Sequence, residues 1–204
     1  MENITFKYFH LAWQDVLHGY SAGIFPMGED DGSISWYETN PRAILPIELT
    51  SSKIHITRSL SQVLKKNIFE TRIDTEFESV IRLCALREST WINDLIIEGY
   101  MKLFNKGFAH SVESWLNGEL VGGLYGVAYR GAFFGESMFY TKSNASKVAV
   151  VKLYEILKKN KFILFDIQMM TSHFKTFGAV EISKRGYLEI LERAMDIERE
   201  FNYT

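Results

Sequence analysis

An aspartate and a glutamine stand two residues apart in the run Phe162-Ile163-Leu164-Phe165-Asp166-Ile167-Gln168, where nothing else is polar. Read as a strand, the run alternates between faces, so Phe162, Leu164, Asp166 and Gln168 share one of them. A carboxylate in so apolar a strand is costly unless it has a partner. A structural hydrogen bond to a loop backbone would satisfy a lone aspartate; the glutamine two residues on weakens that reading without removing it. Near the carboxyl end of a strand, where sheets often open into a cleft, the same pair could orient a reacting group. Glu136 raises the same question within Phe133-Phe134-Gly135-Glu136-Ser137-Met138-Phe139. A wall rich in aromatics and methionine normally means core. It could equally line a pocket for an apolar side chain, with Glu136 as its polar anchor.

Other chemistries find less support. His10, His18, His55, His110 and His173 are scattered without paired-ligand spacing, so no metal site is expected. Ser137 lacks the Gly-x-Ser-x-Gly context of an activated serine. Gly122-Gly123-Leu124-Tyr125-Gly126 falls inside a predicted strand with no Lys-Ser/Thr after it, which argues against a phosphate loop. Glycine there marks a bulge or a close backbone approach. Cys84 is the single cysteine, so an intrachain disulfide and a thiolate metal cluster are out, and it reads as a packing residue.

The elements that must position these residues can be placed coarsely. The chain has 204 residues, 47% hydrophobic and 24% charged, which excludes disordered and fibrous classes. Aromatics at 14% supply a core with material left for a cleft. The N-terminus carries no signal-like apolar run, and no apolar run is long enough to cross a bilayer. A soluble cytoplasmic protein with no membrane partner is expected, and a monomer. Net charge is only −2, but residues 51–72 carry Lys53, Arg58, Lys65, Lys66 and Arg72 against Glu70, a local +4 that leaves −6 for the rest.

Pro26, Pro41 and Pro46 all fall in the first fifty residues, a loop-rich region with one short helix over 12–19. Thr90 is the expected cap of a helix carrying Ile92, Leu95, Ile96 and Leu103, with Gly107 as its stop. Strands are predicted over 108–115, 119–129 and 132–140, the last two joined at Arg130-Gly131. A helix capped by Ser143 or Asn144 then runs to about Lys159, followed by the 162–168 strand. A helical turn over 171–177 and a terminal helix over about 186–201 complete the chain. The pattern reads as α+β, with a small N-terminal domain over 1–60 and a larger one over 61–204.

Taken in order, eight stretches resemble the leucyl/phenylalanyl-tRNA–protein transferase family. They are Gly19-Tyr20-Ser21-Ala22-Gly23-Ile24-Phe25-Pro26, Asn40-Pro41-Arg42-Ala43, Thr90-Trp91-Ile92 and Ala109-His110-Ser111-Val112-Glu113. They continue with Leu120 to Val127, Gly135 to Phe139, Asn144-Ala145-Ser146-Lys147 and Asp166-Ile167-Gln168. The resemblance runs from about residue 19 to 191. It implies a small N-terminal α/β domain followed by an acetyltransferase-like (GNAT-type) mixed-sheet domain. It implies transfer of leucine or phenylalanine, and by size methionine, from aminoacyl-tRNA to acceptor proteins with N-terminal Arg or Lys. Such transfer marks the acceptor for N-degron degradation and uses no metal and no cofactor.

By the same resemblance, Asp166 and Gln168 are the catalytic pair. The acceptor amine has a free pKa of about 7.7–8.0, so modest help suffices to deprotonate it. Gln168 would accept a hydrogen bond from the amine while Asp166, bound to the glutamine amide, polarises it. The competing view is that positioning dominates and substrate groups handle the proton. Leu124, Phe133, Met138, Val150, Leu153 and Phe165 match the apolar amino-acid pocket, and Glu136 would orient the aminoacyl group or the acceptor's basic end. Trp91 would stack the terminal adenine, and Lys53, Arg58, Lys65, Lys66 and Arg72 would track tRNA phosphates. Met27 stands where the family often has Trp, and Thr171 where it often has Asn. A coenzyme-A-dependent acetyltransferase would share the fold class, but the chain lacks the Gln/Arg-x-x-Gly-x-Gly/Ala turn that would hold a pyrophosphate. A non-catalytic RNA- or peptide-binding module is the third reading.

Overall fold

The structure, a computed structural model, describes residues 1–3, 7–47, 54–87 and 90–203. The chain opens with β1 (Glu2–Asn3), α1 (Trp13–Ser21), β2 (Phe25–Gly28), β3 (Ile34–Glu38) and β4 (Arg42–Ile44). Next come α2 (Arg58–Lys65), β5 (Glu70–Ile73), α3 (Phe77–Ala85) and α4 (Asp94–Asn105). A meander of β6 (Ala109–Leu116), β7 (Glu119–Tyr129) and β8 (Ala132–Tyr140) leads through α5 (Ala145–Lys159) into β9 (Leu164–Gln168). The chain ends with α6 (Ser172–Lys175), β10 (Val180–Ile182) and α7 (Lys184–Met195).

The α+β reading holds. β1, β3 and β2 form a small antiparallel sheet, and seven strands form a mixed sheet in the order β10-β4-β9-β8-β7-β6-β5. Residues 1–60 thus supply the small sheet and also β4 of the large one. Among the described residues only β8 and β9 pair in parallel, and α5 is the crossover helix that a parallel pair requires. One face of the large sheet packs on α1, α3, α4 and α7 through residues such as Tyr20, Phe77, Tyr100 and Leu191. The other packs on α5 through Val148, Val151, Leu153 and Leu157.

Local chemistry explains the elements and three shifts from expectation. α4 buries Ile96, Gly99, Tyr100 and Leu103, a stripe at helical spacing, and each large apolar residue so buried contributes about 1.5–3 kcal/mol. Its cap is Asn93, whose Oδ1 accepts the Ile96 N–H at 3.1 Å, not Thr90, whose hydroxyl oxygen accepts from Ile92 N–H one turn too early. Phe162 lies outside β9: the N–H groups of Ile163 and Leu164 both donate to the Gly131 carbonyl, at 2.9 and 3.3 Å, which breaks the alternation, and Phe162 packs on the α5 side while Leu164 packs on the other. The terminal helix starts at Lys184, capped by Ser183, and stops at Met195. There the hairpin tip intervenes, Gly131 N–H donating to the Ala194 carbonyl at 2.8 Å. Beyond it Phe201 stacks on His110, with centroids 4.2 Å apart. Among the described residues, no helix is long and apolar enough to cross a membrane.

Candidate functional site

The site begins where β8 and β9 separate. Their parallel ladder ends at Phe134 opposite Asp166; beyond that point β8 stays with β7 and β9 stays with β4. Both strands are irregular there. On β8, Gly135 pairs with Gly126 and Ser137 with Tyr125, so Glu136 is the extra residue of a bulge. A bulge re-aims the side chain it frees. Gly126 permits it, since a Cβ there would lie 2.4 Å from the Phe134 carbonyl oxygen. On β9, Gln168 has φ 53°, in the left-handed region that non-glycine residues rarely adopt. Two bonds hold it: its N–H donates to Asp166 Oδ1 at 2.9 Å, and its carbonyl accepts from the Thr39 hydroxyl at 3.0 Å.

The two carboxylates on these strands live differently. Asp166 is fully buried and meets the Arg42 guanidinium in a forked pair, with Nε to Oδ1 at 3.0 Å and Nη2 to Oδ2 at 2.7 Å. The Tyr187 hydroxyl donates to the same carboxylate at 2.8 Å. Arg42 also donates to the Gly23 carbonyl at 3.0 Å, and its guanidinium carbon lies 4.9 Å and 4.5 Å from the ring centroids of Phe25 and Tyr187. Burial is the largest single influence and works against that cation, but the charge and hydrogen bonds of Asp166, with Tyr187 and Glu136 adding, together outweigh it and hold Arg42 protonated. Among the described residues, no cation forms an ion pair with Glu136. Tyr20 donates to its Oε1 at 2.6 Å, Tyr100 to its Oε2 at 2.9 Å, and Gln168 Nε2 to its Oε1 at 3.3 Å. Burial pushes the Glu136 carboxyl up to about 7, with the phenol hydrogen bonds opposing and the Asp166 charge adding to the rise.

Glu136 and Gln168 stand on the wall of a cleft of about 700 Å³. Leu124, Met138, Leu153, Phe165, Ile167 and Phe174 form its apolar side; Trp91, Met27, Leu86, Tyr140 and Met169 also line it. Of the residues expected to form an apolar pocket, four therefore line the cleft. Phe133 and Val150 do not: both are fully buried, Phe133 edge-on behind Phe165 at 5.7 Å between centroids and Val150 within the packed face of α5. Trp91 is held at the cleft by its own backbone, whose carbonyl accepts the Gly28 N–H at 2.9 Å. Only glycine fits at 28, because a Cβ would sit 2.6 Å from that carbonyl oxygen.

Of the basic run, Arg58, Lys65, Lys66 and Arg72 do not line the cleft. Arg58, Lys65 and Lys66 are exposed on or just after α2. Arg72 is engaged with Glu70 at 2.7 Å and lies 4.3 Å from the centroid of the Trp115 ring. Lys53 is outside the described residues. Asp166 binds the backbone N–H of Gln168, not its side-chain amide; the amide nitrogen goes to Glu136 instead. Sequence reasoning missed Arg42, Tyr20, Tyr100 and Arg87, the last a cleft residue whose Nη2 donates to the Ser137 hydroxyl at 2.6 Å. A signal for one of them existed. Arg42, in front of Ala43-Ile44-Leu45, is as costly in an apolar strand as Asp166, and two such residues satisfy each other.

Residues 48–192 match the family model described as leucyl/phenylalanyl-tRNA protein transferase, and residues 11–40 match the model of that family's N-terminal domain. A leucyl/phenylalanyl-tRNA–protein transferase of Herpetosiphon aurantiacus is 44% identical over 191 residues, covering 94% of this chain and 98% of that protein. One of Gloeobacter violaceus is 47% identical over 187 residues, covering 91% and 95%. Among solved structures, an aminoglycoside acetyltransferase from an uncultured soil metagenomic sample superposes with a TM-score of 0.43 and 15% identity, over 55% of this chain and 86% of that one.

Proposed function

The chain belongs to the leucyl/phenylalanyl-tRNA protein transferase family, and from that premise we propose that it moves leucine or phenylalanine from aminoacyl-tRNA to the N-terminal Arg or Lys of acceptor proteins. It is an aminoacyltransferase, and the family's N-degron role in the cytoplasm is the setting this reading implies. The observation that carries it is one cleft with two characters. Its side of Leu124, Met138, Leu153 and Phe165 suits an unbranched or γ-branched apolar side chain, and its other wall presents Glu136 and Gln168. One methylene in such a pocket is worth only about 1–3 kcal/mol, so leucine, phenylalanine and methionine should all be accepted.

With the amide nitrogen of Gln168 committed to Glu136, the carbonyl oxygen of that side chain is the group left to accept a hydrogen bond from the incoming amine. Asp166 acts through the backbone: together with Arg42 it fixes Gln168 in its left-handed conformation, a positioning role. Trp91 and Met27 line the cleft where the terminal adenosine would enter, Trp91 offering a face for stacking worth roughly 1–3 kcal/mol. Arg58, Lys65 and Lys66 are exposed cations that would meet phosphates farther along the tRNA.

The test is transfer of labelled leucine from leucyl-tRNA to reporters beginning with Arg or Lys, beside reporters beginning with Asp or Gly. Label on the basic-terminus reporters alone is expected. Equal label on all four would remove the acceptor rule, and none on any, with the tRNA intact, would contradict the reading.

A further inference from the structure

Three short contacts join the two phenols and the carboxyl at the cleft wall. Tyr20 Oη lies 2.6 Å from Glu136 Oε1, Tyr100 Oη lies 2.9 Å from Glu136 Oε2, and the two phenol oxygens lie 2.5 Å from each other. All three distances are those of O–H···O hydrogen bonds. Each bond needs one proton. The phenols bring two, because a tyrosine hydroxyl donates once. With Glu136 ionised, one of the three oxygen pairs faces lone pair to lone pair. With Glu136 protonated, a closed ring forms: Oε2–H donates to Tyr100, Tyr100 donates to Tyr20, and Tyr20 donates to Oε1. With Glu136 ionised both phenols donate to it and their 2.5 Å contact lacks a proton; a proton arriving on Oε2 lets Tyr100 turn its own to Tyr20 and closes the ring.

We propose, resting on the aminoacyl-transfer reading above, that Glu136 takes the proton the acceptor amine sheds and holds it in this ring until the departing ribose oxygen receives it. The amine nitrogen bonds to the ester carbonyl carbon and passes a proton to the Glu136 carboxylate. The bond from that carbon to the ribose oxygen breaks, and its electron pair stays on the oxygen. That oxygen takes the proton from Glu136, which returns as carboxylate for the next cycle. Nothing is oxidised or reduced, and no further reactant is consumed. The bulge that turns Glu136 out of the β8 ladder is what brings it to the cleft wall.

The groups around Glu136 leave the proton to the ring. From β4 and β9, Arg42 and Asp166 neutralise one another, with Tyr187 of α7 on the same pair. From α3 and its end, Cys84 has its thiol pushed up to about 12 by burial, and Arg87 is bonded to Ser137 and the Cys84 carbonyl. From β7, the buried Tyr125 hydroxyl has no hydrogen-bond partner among the described residues. Burial raises the pKa of Tyr20, Tyr100 and Tyr125 well above the ordinary phenol value, so the phenols stay protonated and the carboxyl alone titrates. Its position near 7 lies close to the amine at about 7.7–8.0, which allows the proton to pass in either direction with little driving force.

The experiment pairs two readouts on the full chain. Carbon-13 NMR of glutamate-labelled protein, with Glu136→Gln identifying the resonance, follows the carboxyl without substrate. Transfer from leucyl-tRNA to an Arg-terminated reporter is measured as a rate against pH. The carboxyl is expected to titrate near neutrality, and the acid limb of the transfer rate should follow it. Tyr20→Phe removes a donor to the carboxylate, so both should move to higher pH together. Glu136→Gln should lower transfer on the order of 10²-fold or more and abolish that limb. A carboxyl titrating in the ordinary range, near 4.3, overturns the ring. Retained transfer with an unmoved limb in Glu136→Gln overturns the proton role. No transfer by the unmodified protein overturns the reaction reading and this role with it, while the NMR midpoint tells that failure from a failure of the ring.

Discussion

Asp166 and Glu136 lie on neighbouring strands at the same cleft, and their surroundings give them opposite characters. Asp166 is sealed against a guanidinium, a phenol and a backbone N–H, with every partner aimed at the charged form. Glu136 faces only neutral donors and is pushed toward protonation by burial. The first arrangement ties β4 to β9 and fixes the backbone that aims Gln168. The second keeps a carboxyl close to its midpoint at physiological pH. On the proposal above the two carboxylates divide the work: the ion-paired one braces the strands, and the one held by neutral donors exchanges a proton with substrate. The fold places one of each within two strands.

The comparison breaks most visibly at Arg42. Arg42→Ala leaves the Asp166 charge buried without its cation and should cost about 3–5 kcal/mol, read as a fall in the denaturant midpoint. A loss under about 1 kcal/mol would mean that water or another residue replaces the guanidinium and that Asp166 is no brace.

Glu136 should behave in the opposite sense. Its folded pKa lies above its ordinary value, so between about 4.5 and 7 the folded state holds more protons than the unfolded one and stability falls as pH rises through that window. Glu136→Gln removes this dependence. Its unfolding free energy relative to that of the unmodified protein should rise from pH 4.5 to 7, by an amount on the order of 1–3 kcal/mol across the window, read by denaturant unfolding at each pH. A constant difference across the window would place the carboxyl among ordinary surface acids.

Much of this was legible in the chain. The β6–β7–β8 meander announced itself by alternation and turn residues, and α5 and α4 by apolar spacing. Asp166 and Gln168 stood out as polar residues in an apolar strand. What the sequence could not show was which polar residues brace and which react. Glu113, in one of the stretches that carry the family resemblance, is fully buried and accepts the backbone N–H groups of Thr75 and Glu76 at 2.9 and 2.8 Å where α3 begins. It is structural. Glu136 lies in a similar stretch and faces the cleft. The difference comes from a one-residue bulge and from tyrosines 116 and 36 residues away in sequence, which no local pattern records. Phe133 and Val150 illustrate the same limit, since family position put them at the pocket and the packing puts them behind its wall.

The central claim is that the cleft between β8 and β9 receives the aminoacyl end of the tRNA. The most direct measurement is calorimetric titration of a stable leucyl-adenosine amide into the unmodified protein and into Met138→Trp, which fills the apolar side from a half-buried position without disturbing the core. Binding to the unmodified protein, weakened at least about tenfold in the filled variant, a loss of roughly 1.4 kcal/mol, is the predicted result. Equal affinity in the two proteins would contradict the account and place the aminoacyl group elsewhere.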